Sequence, residues 1–436
     1  MKILIKNGTI IPMTKTLNGS NDDFQVKADI SVSEGLITEV GTICNHEGFD
    51  KIIDASECVI LPGFINTHTH AAMALFRGYA DDLPLMEWLQ NKIWPIEAEL
   101  KADDVYWGTM LSILEMIKSG TTLFSDMYFF MDAVARAVDE SGIRACLARG
   151  LVGVAPNGEQ ALEEAVCFIK DWQGKADGRI VTMLGPHAPY TCPPEYLKKV
   201  MKAAENLGVR IHIHLAETIS EVKDIENLYG KRPVELMNEI GLFEYPVVGA
   251  HLVHVNEKEI DILLEKNVGV AHNPQSNMKL ASGVSPVVHM LGKGIIVSLG
   301  TDGASSNNNV DIIREMRSAS LLQKVTTMDP TVIPAYQALQ MATCNGAAAL
   351  GLEDVTGQIA VGKKADIILV DFQKPHLYPQ HDMVSHLVYA AQGSDVKTVI
   401  IDGKIIMEDY QVITMDEERI LFEATKCAER LKKSLE

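Results

Sequence analysis

VILPGFINTHTH, residues 59–70, divides the chain into two textures. An apolar run stops at Pro62-Gly63, and a second run ends in two histidines spaced by one residue. Side chains alternate along an extended strand, so His68 and His70 share a face. Upstream, KILIKNGTII, ADISVSEGLITEVG and KIIDASECVILPG are rich in Ile and Val and broken by Asn-Gly, Glu-Gly and Pro-Gly. No strong helix lies among them, which is the texture of a small β-sheet unit. Downstream the rhythm changes. Eight strand-like runs, GFINTHTH, TTLFSDMY, RACLARGL, RIVTMLGPH, VRIHIHLAE, VVGAHLVHV, VGVAHNPQS and IIVSLGTDG, alternate with helical segments such as PEYLKKVMKAAENLG. Eight β-α alternations over residues 61–357 predict an α/β fold, a (β/α)8 TIM barrel. A doubly wound sheet is the competing architecture, weakened because no G-x-G-x-x-G opens a helix after the first strand.

After residue 357 β-like runs return, in GQIAVGKKADIILVD and DVKTVIIDGKIIMED. They match the N-terminal unit, so residues 1–60 and 358–415 are expected to meet in one composite β-sandwich with the barrel inserted between them. The tail at 416–436 is amphipathic and reads as a helix.

The chain has 436 residues, 47% hydrophobic and 22% charged, which is the composition of a soluble globular protein with ample core. A net charge of −19 repels phosphate backbones and anionic bilayers, so neither nucleic acid nor membrane is an expected partner. No run of about 18 apolar residues occurs. The N-terminus MKILIKNGTIIPM has no signal-peptide core. Seven widely spaced cysteines without a C-x-x-C read as reduced thiols in a cytoplasmic protein.

A barrel of this kind carries its chemistry at the C-terminal ends of its strands. His68 and His70 end the first predicted strand and His187 the fourth. His214 ends the fifth, with Glu217 three residues on. His251 belongs to the sixth, and Asp302 ends the eighth. An isolated H-x-H is more often coincidence than ligand. Joined by His214 and Asp302 on one rim, it reads as a site for a divalent ion, since three imidazoles and a carboxylate suit Zn²⁺ or Fe²⁺. RIVTMLGPH offers no lysine to bridge a second ion, so one metal is expected. His212, one layer deeper than His214, reads as interior support. His254 is expected to turn away, and His272 receives no role. Glu217 is either a proton shuttle beside the metal or a helix-initiating acid.

LPGFINTHTH, HLAET, SLGTDG and the terminal GQIAVGKKADIILVD with its VIIDGK together resemble the amidohydrolase superfamily along nearly the whole chain. Within it the chain looks like the 5-methylthioadenosine/S-adenosylhomocysteine deaminases. The resemblance implies a distorted (β/α)8 barrel with a split β-sandwich. It also implies hydrolytic deamination of a small purine nucleoside to its inosine analogue, with release of ammonia. By that resemblance His68, His70, His214 and Asp302 hold one divalent metal, Zn²⁺ first and Fe²⁺ second. Glu217 transfers protons to the substrate ring, His251 polarises the attacking water and Asp302 accepts its proton. Glu97, in WPIEAEL, matches the residue that holds ribose hydroxyls. Arg149 and His187 match further substrate contacts, and Trp88 and Ser306 match pocket positions.

Mononuclear relatives acting on guanine, cytosine or triazines share this core pattern. A non-catalytic scaffold should show gaps in the ligand set, and this set is complete. The other zinc deaminase pattern, H-x-E with P-C-x-x-C, is missing, because TCPPEY at 191–196 lacks the second cysteine. Exposed sandwich and barrel faces leave room for a homo-oligomer.

Overall fold

The break at Pro62-Gly63 separates two sheets in the computed structural model, which describes residues 1–14 and 24–435. Before it run β1 (Lys2–Ile10), β2 (Val26–Ser33), β3 (Leu36–Gly41), β4 (Lys51–Asp54) and β5 (Cys58–Pro62). After it come eight strands: β6 (Phe64–Thr69), β7 (Thr121–Tyr128), β8 (Arg144–Leu151), β9 (Ile180–Pro186), β10 (Arg210–Leu215), β11 (Val247–His251), β12 (Gly269–His272) and β13 (Val297–Leu299). The chain then returns through β14 (Ile367–Asp371), β15 (Val396–Ile401), β16 (Lys404–Glu408) and β17 (Gln411–Val412). Gly63 has to be glycine. A Cβ there would lie 2.0 Å from the Thr122 hydroxyl, while its own N–H donates to Asp366 O at 2.9 Å.

Strands from the two chain ends form one nine-stranded sheet, with β5 antiparallel to β14. Its period-two pattern serves two cores. Ile60, Ile367, Leu369 and Ile400 join Ile3, Ile5, Ile10 and Ile30 in a small core of the sheet's own. Their neighbours Val59, Leu61, Ile368, Val370, Val399 and Ile401 belong to the large core shared with the barrel. Arg144, the first residue of β8, stitches the two units. Its Nε and Nη2 donate to the two Asp366 oxygens at 3.0 and 3.2 Å, and both residues are buried.

Strands β6 to β13 run parallel in sequence order, each beside the next. The ring is drawn shut between β13 and β6 by polar groups. Thr67 Oγ1 donates to Leu299 O at 2.9 Å, Asn66 Nδ2 to Thr301 Oγ1 at 2.8 Å, and Asp302 N to His68 O at 2.9 Å. Helices cover the outside. The one at Pro194–Leu207 shows the local logic: proline starts it, Gly208 with φ 66° ends it, and Leu197, Val200, Met201 and Ala204 form its buried stripe. The tail is helical over Glu417–Lys433 and packs on the barrel helix Ala102–Lys118, where Lys118 bonds Glu417 at 2.8 Å. Among the described residues no helix is long and apolar enough to cross a membrane.

One departure from simple alternation matters for the site. Between β6 and Ala102–Lys118 the chain runs through an excursion of short helical turns, Ala71–Phe76, Leu85–Trp88, Leu89–Ile93 and Trp94–Glu97. It carries Glu97 to Tyr128, at the C-terminal end of β7.

Candidate active site

Four strand ends, those of β6, β10, β11 and β13, bring five side chains together. His68 lies with its ring centroid 5.0 Å from His70, 4.7 Å from His214 and 5.4 Å from His251. Asp302 Oδ1 stands 3.5 Å from His68 Nε2 and 3.3 Å from His70 Nε2. Regular strand geometry would not achieve this for every member. Along β11, Val248 and Ala250 join the apolar cluster of Ile65, Leu123 and Met183, so plain alternation would turn His251 away from it. His251 instead adopts φ 74° and Asp302 φ 61°, both left-handed. Such backbone is costly for non-glycine residues and gathers where function requires a particular direction.

The donor set fits a divalent ion, and the hydrogen bonds say why. His70 Nδ1 lies 2.6 Å from Met127 O, and His214 Nδ1 2.7 Å from His187 O. Carbonyls only accept, so both Nδ1 atoms carry the proton, and each neutral ring presents a lone pair at Nε2. Those two Nε2 atoms face each other at 3.3 Å. Two lone pairs so placed repel unless a cation lies between them. His68 Nε2 is buried with no hydrogen-bond partner among the described residues. Its Nδ1 contacts His212 Nε2 at 2.9 Å, and His212 Nδ1 contacts Ser125 Oγ at 3.2 Å, so His212 fixes the His68 ring from behind. Ligand atoms of His68, His70 and His214 lie within 4.8 Å of one another, as do those of His68, His251 and Asp302. Burial pushes the His68 imidazolium down to about 4 and holds His214 well below its usual range, which keeps both rings neutral. Burial would raise the Asp302 carboxyl, but the adjacent His68, with His70 and His251, outweighs it, and it sits well below the usual carboxylate range.

Glu217 Oε2 stands 3.8 Å from His251 Nε2. Its pKa is raised by burial, against the opposing pull of His251. The helix that follows does not need it as an initiating acid. Thr218 is the N-cap and accepts from Glu221 N, while the Glu221 carboxylate accepts from the N–H groups of Ala216 and Glu217 at 2.9 and 2.8 Å. His251 is buried, which favours its neutral form, but Glu217, Asp302 and the Asn277 contact more than offset this and raise its pKa.

The remaining predicted residues are distributed less evenly. His187 adjoins the cluster, its ring 4.8 Å from His214, and its Nδ1 contacts Thr191 Oγ1 at 2.9 Å. Glu97 receives the Tyr128 hydroxyl at 2.7 Å, and burial pushes its carboxyl up to about 7. Ser306 is turned to the outer oxygen of Asp302, with Oγ 3.0 Å from Oδ2. Arg149 is not drawn into the cluster. It ends on Glu164 at 3.2 Å, with its guanidinium over Phe129. Trp88 is buried, and its indole N–H donates to Ala80 O at 3.0 Å. His254 turns away to Ser282 O at 2.6 Å. His272 is buried with both ring nitrogens unpartnered among the described residues.

Sequence reasoning passed over the polar run that follows His272. Asn277 Oδ1 receives His251 Nδ1 at 2.9 Å, and Asn273 Nδ2 lies 3.3 Å from the same atom. Ser276 Oγ donates to Asp302 Oδ2 at 2.6 Å. The signal was present in HNPQSNMKL, where Asn273 and Asn277 are four apart and so fall on one side of a helical turn. Asp126 was also missed. It is buried and accepts from Thr69 Oγ1 at 2.9 Å and Ala71 N at 2.7 Å, bracketing His70.

Comparison with known proteins agrees with this arrangement. The chain is 57% identical over 433 residues, 99% of each chain, to a protein of Syntrophomonas wolfei named 5-methylthioadenosine/S-adenosylhomocysteine deaminase. A protein of the same name from Pelotomaculum thermopropionicum is 55% identical over 98% of each chain. The crystal structure of an adenosine deaminase from Xanthomonas campestris with bound zinc superposes with a TM-score of 0.93. It is 33% identical, covering 99% of this chain and 98% of that one. Residues 59–406, from within β5 to within β16, the third of the returning strands, match the Amidohydrolase family. The barrel, its histidine rim and the part of the split sheet that flanks the barrel thus fall inside one matched span, and the chain belongs to the amidohydrolase family.

Proposed function

We propose that this chain is a metal-dependent hydrolytic deaminase. It converts 5-methylthioadenosine and S-adenosylhomocysteine, and adenosine with them, to their inosine analogues with release of ammonia. The observation that carries the reading is a complete set of donors and acids, His68, His70, His214, Asp302, His251 and Glu217, in a chain that matches two named deaminases end to end. Glu97 favours a nucleoside over a free base, because guanine or cytosine offers no ribose diol for its half-buried carboxylate to hold.

The resident ion is one divalent metal, held by His68, His70, His214 and Asp302. Zinc is the first choice, as in the Xanthomonas enzyme, and iron suits the same donors. When bound, the metal supplies a Lewis acid that activates water at neutral pH. The chain's own groups do the rest. Glu217, with its pKa raised by burial, keeps a proton to give to a ring nitrogen beside the carbon under attack. His251, held by Asn277, places a positive edge where negative charge develops. Asp302, kept ionised, takes a proton from the attacking water and passes it to the amine, which departs as ammonia, while the new C–OH returns its proton to Glu217 as the carbonyl forms. Glu97 takes the ribose hydroxyls, so that sugar binding orients the base. The seven cysteines are free, which suits the cytoplasm.

Ultraviolet spectroscopy tests the reading. Adenosine, methylthioadenosine, S-adenosylhomocysteine and guanine are each offered to the zinc-loaded protein, with ammonia assayed in parallel. Conversion of adenine to hypoxanthine chromophores with the nucleosides is expected. Ammonia from guanine alone, or from none of the four, sinks the proposal.

A further inference from the structure

The last two residues of β7 hold two different parts of the site. Met127 gives its carbonyl to His70 Nδ1 at 2.6 Å, which fixes the direction of a predicted metal ligand. Tyr128 gives its hydroxyl to Glu97 Oε1 at 2.7 Å. Both residues are buried in the barrel wall, and the Tyr128 ring centroid lies 6.3 Å from that of His70. Glu97 comes from elsewhere. It is the last residue of a four-residue helical turn, Trp94–Glu97, in the excursion after β6. A turn that short has little stiffness of its own. Its position relative to the metal donors therefore depends on what it is tied to: Ile96 seats the turn in the core, and Tyr128 ties the carboxylate itself. The tie also leaves capacity: a carboxylate has about four acceptor sites, so with one taken by tyrosine it can still receive both hydroxyls of a vicinal diol.

We propose that Tyr128 is a positioning residue for sugar recognition. By anchoring Glu97 to the strand end that also orients His70, it sets the offset between the ribose diol and the reacting ring. This rests on the reading of Glu97 as the ribose-binding acid. The consequence is a specificity filter. A nucleoside with the full diol gains from the anchored carboxylate. One lacking a hydroxyl gains much less, whatever its base.

Steady-state kinetics of Tyr128→Phe and Glu97→Gln with adenosine and 2′-deoxyadenosine, alongside metal content by elemental analysis, test this. Phenylalanine keeps the buried ring and removes only the hydroxyl. For Tyr128→Phe, kcat/KM with adenosine should fall roughly tenfold, as befits a lost hydrogen bond to a carboxyl group. The fall should be mainly in KM. With the deoxynucleoside the fall should be under about threefold, with metal content unchanged. The preference for the ribonucleoside then collapses, as it should in Glu97→Gln. Equal losses on both substrates, or a loss of metal, would mean Tyr128 merely supports the barrel wall, and the inference falls. If Glu97→Gln abolishes the preference while Tyr128→Phe preserves it, Tyr128 alone is misassigned. If Glu97→Gln also preserves it, the ribose reading of Glu97 fails and takes this inference with it.

Discussion

Two clusters of buried charge lie at opposite ends of the barrel strands. At the start of β8, Arg144 meets Asp366 through two parallel hydrogen bonds, and Asp366 accepts a third from Asp402 N at 2.7 Å. Burial would raise the Asp366 carboxyl, but Arg144 more than compensates and holds it below the usual range. At the other end, two imidazole lone pairs face each other, a third nitrogen has no hydrogen-bond partner among the described residues, and two contributing residues sit in left-handed backbone. The first cluster is complete as protein. The second is complete only with something the chain does not encode. Fold-holding and chemistry are thus separated along the same strands, as the barrel architecture favours.

Removing the metal should break the rim end alone. A chelator should abolish turnover, and Zn²⁺ should restore it. At metal a thousandfold above Kd, linkage predicts about 4 kcal/mol of stabilisation relative to the stripped protein, seen as a higher Tm. A chelated protein with full activity and unchanged Tm would remove the contrast. Glu217→Gln is the next largest change. It should lower kcat by about 10²–10⁴ while the metal stays bound, because amide and acid share a shape but only the acid carries a proton.

Arg144→Ala should do the opposite. It leaves Asp366 buried without its partner, at a cost of about 3–5 kcal/mol, read as a lower denaturation midpoint. The activity of the molecules still folded should be unchanged. Acid sharpens the distinction. The folded-state pKa of Asp366 is depressed, so its contribution is present above the unfolded carboxylate range and is lost as pH falls through the folded value. His68 and His187 are also depressed, to about 4, mainly by burial. For a histidine that sign means the unfolded chain takes up protons first. The stripped protein should therefore lose stability from about pH 6.5 down towards 4. Circular dichroism of the metal-free protein across that range should show the rim's window opening above the Asp366 window. A single transition below pH 4 would contradict it.

Much of this contrast was legible in the chain, and the illegible part has a physical reason. Strand ends are marked by local pattern, so the eight barrel runs and the clustering of His68, His70, His214 and Asp302 could be read in order. The period-two runs after residue 357 announced the returning sheet. What could not be read depends on partners distant in sequence. Arg144 and Asp366 are 222 residues apart, and neither looks unusual where it stands. Tyr128 reads as an ordinary strand-end aromatic until Glu97 is placed beside it. Left-handed backbone at His251 is invisible to alternation, which would have turned the ring away. Asn277 falls on a six-residue helix, Pro274–Lys279, too short to announce itself by periodicity.

That helix supplies the next test. Asn277→Ala removes the acceptor for His251 Nδ1, and residues that orient functional imidazoles commonly cost about 10–100-fold when lost. The loss should appear in kcat, with metal content unchanged. Equal losses of metal and rate would make Asn277 a prop for the ligand cage instead.

The smallest effect is expected from Ser306, where the rim resembles the completed end of the barrel. Asp302 Oδ2 receives two hydroxyls, Ser276 at 2.6 Å and Ser306 at 3.0 Å, and the two serines lie 3.1 Å apart. Removing one leaves the oxygen with the other, so Ser306→Ala should lower kcat only about 2–10-fold, within the range of one net hydrogen bond. Ser276→Ala, which deletes the shorter bond, should cost more. The double variant should exceed the sum in free energy, because only then is a buried carboxylate oxygen left without a hydroxyl. KM should stay flat across nucleosides in all three, since these hydroxyls face the carboxylate. A change in KM that depends on the substrate would place Ser306 on the pocket wall, the position its sequence pattern implies.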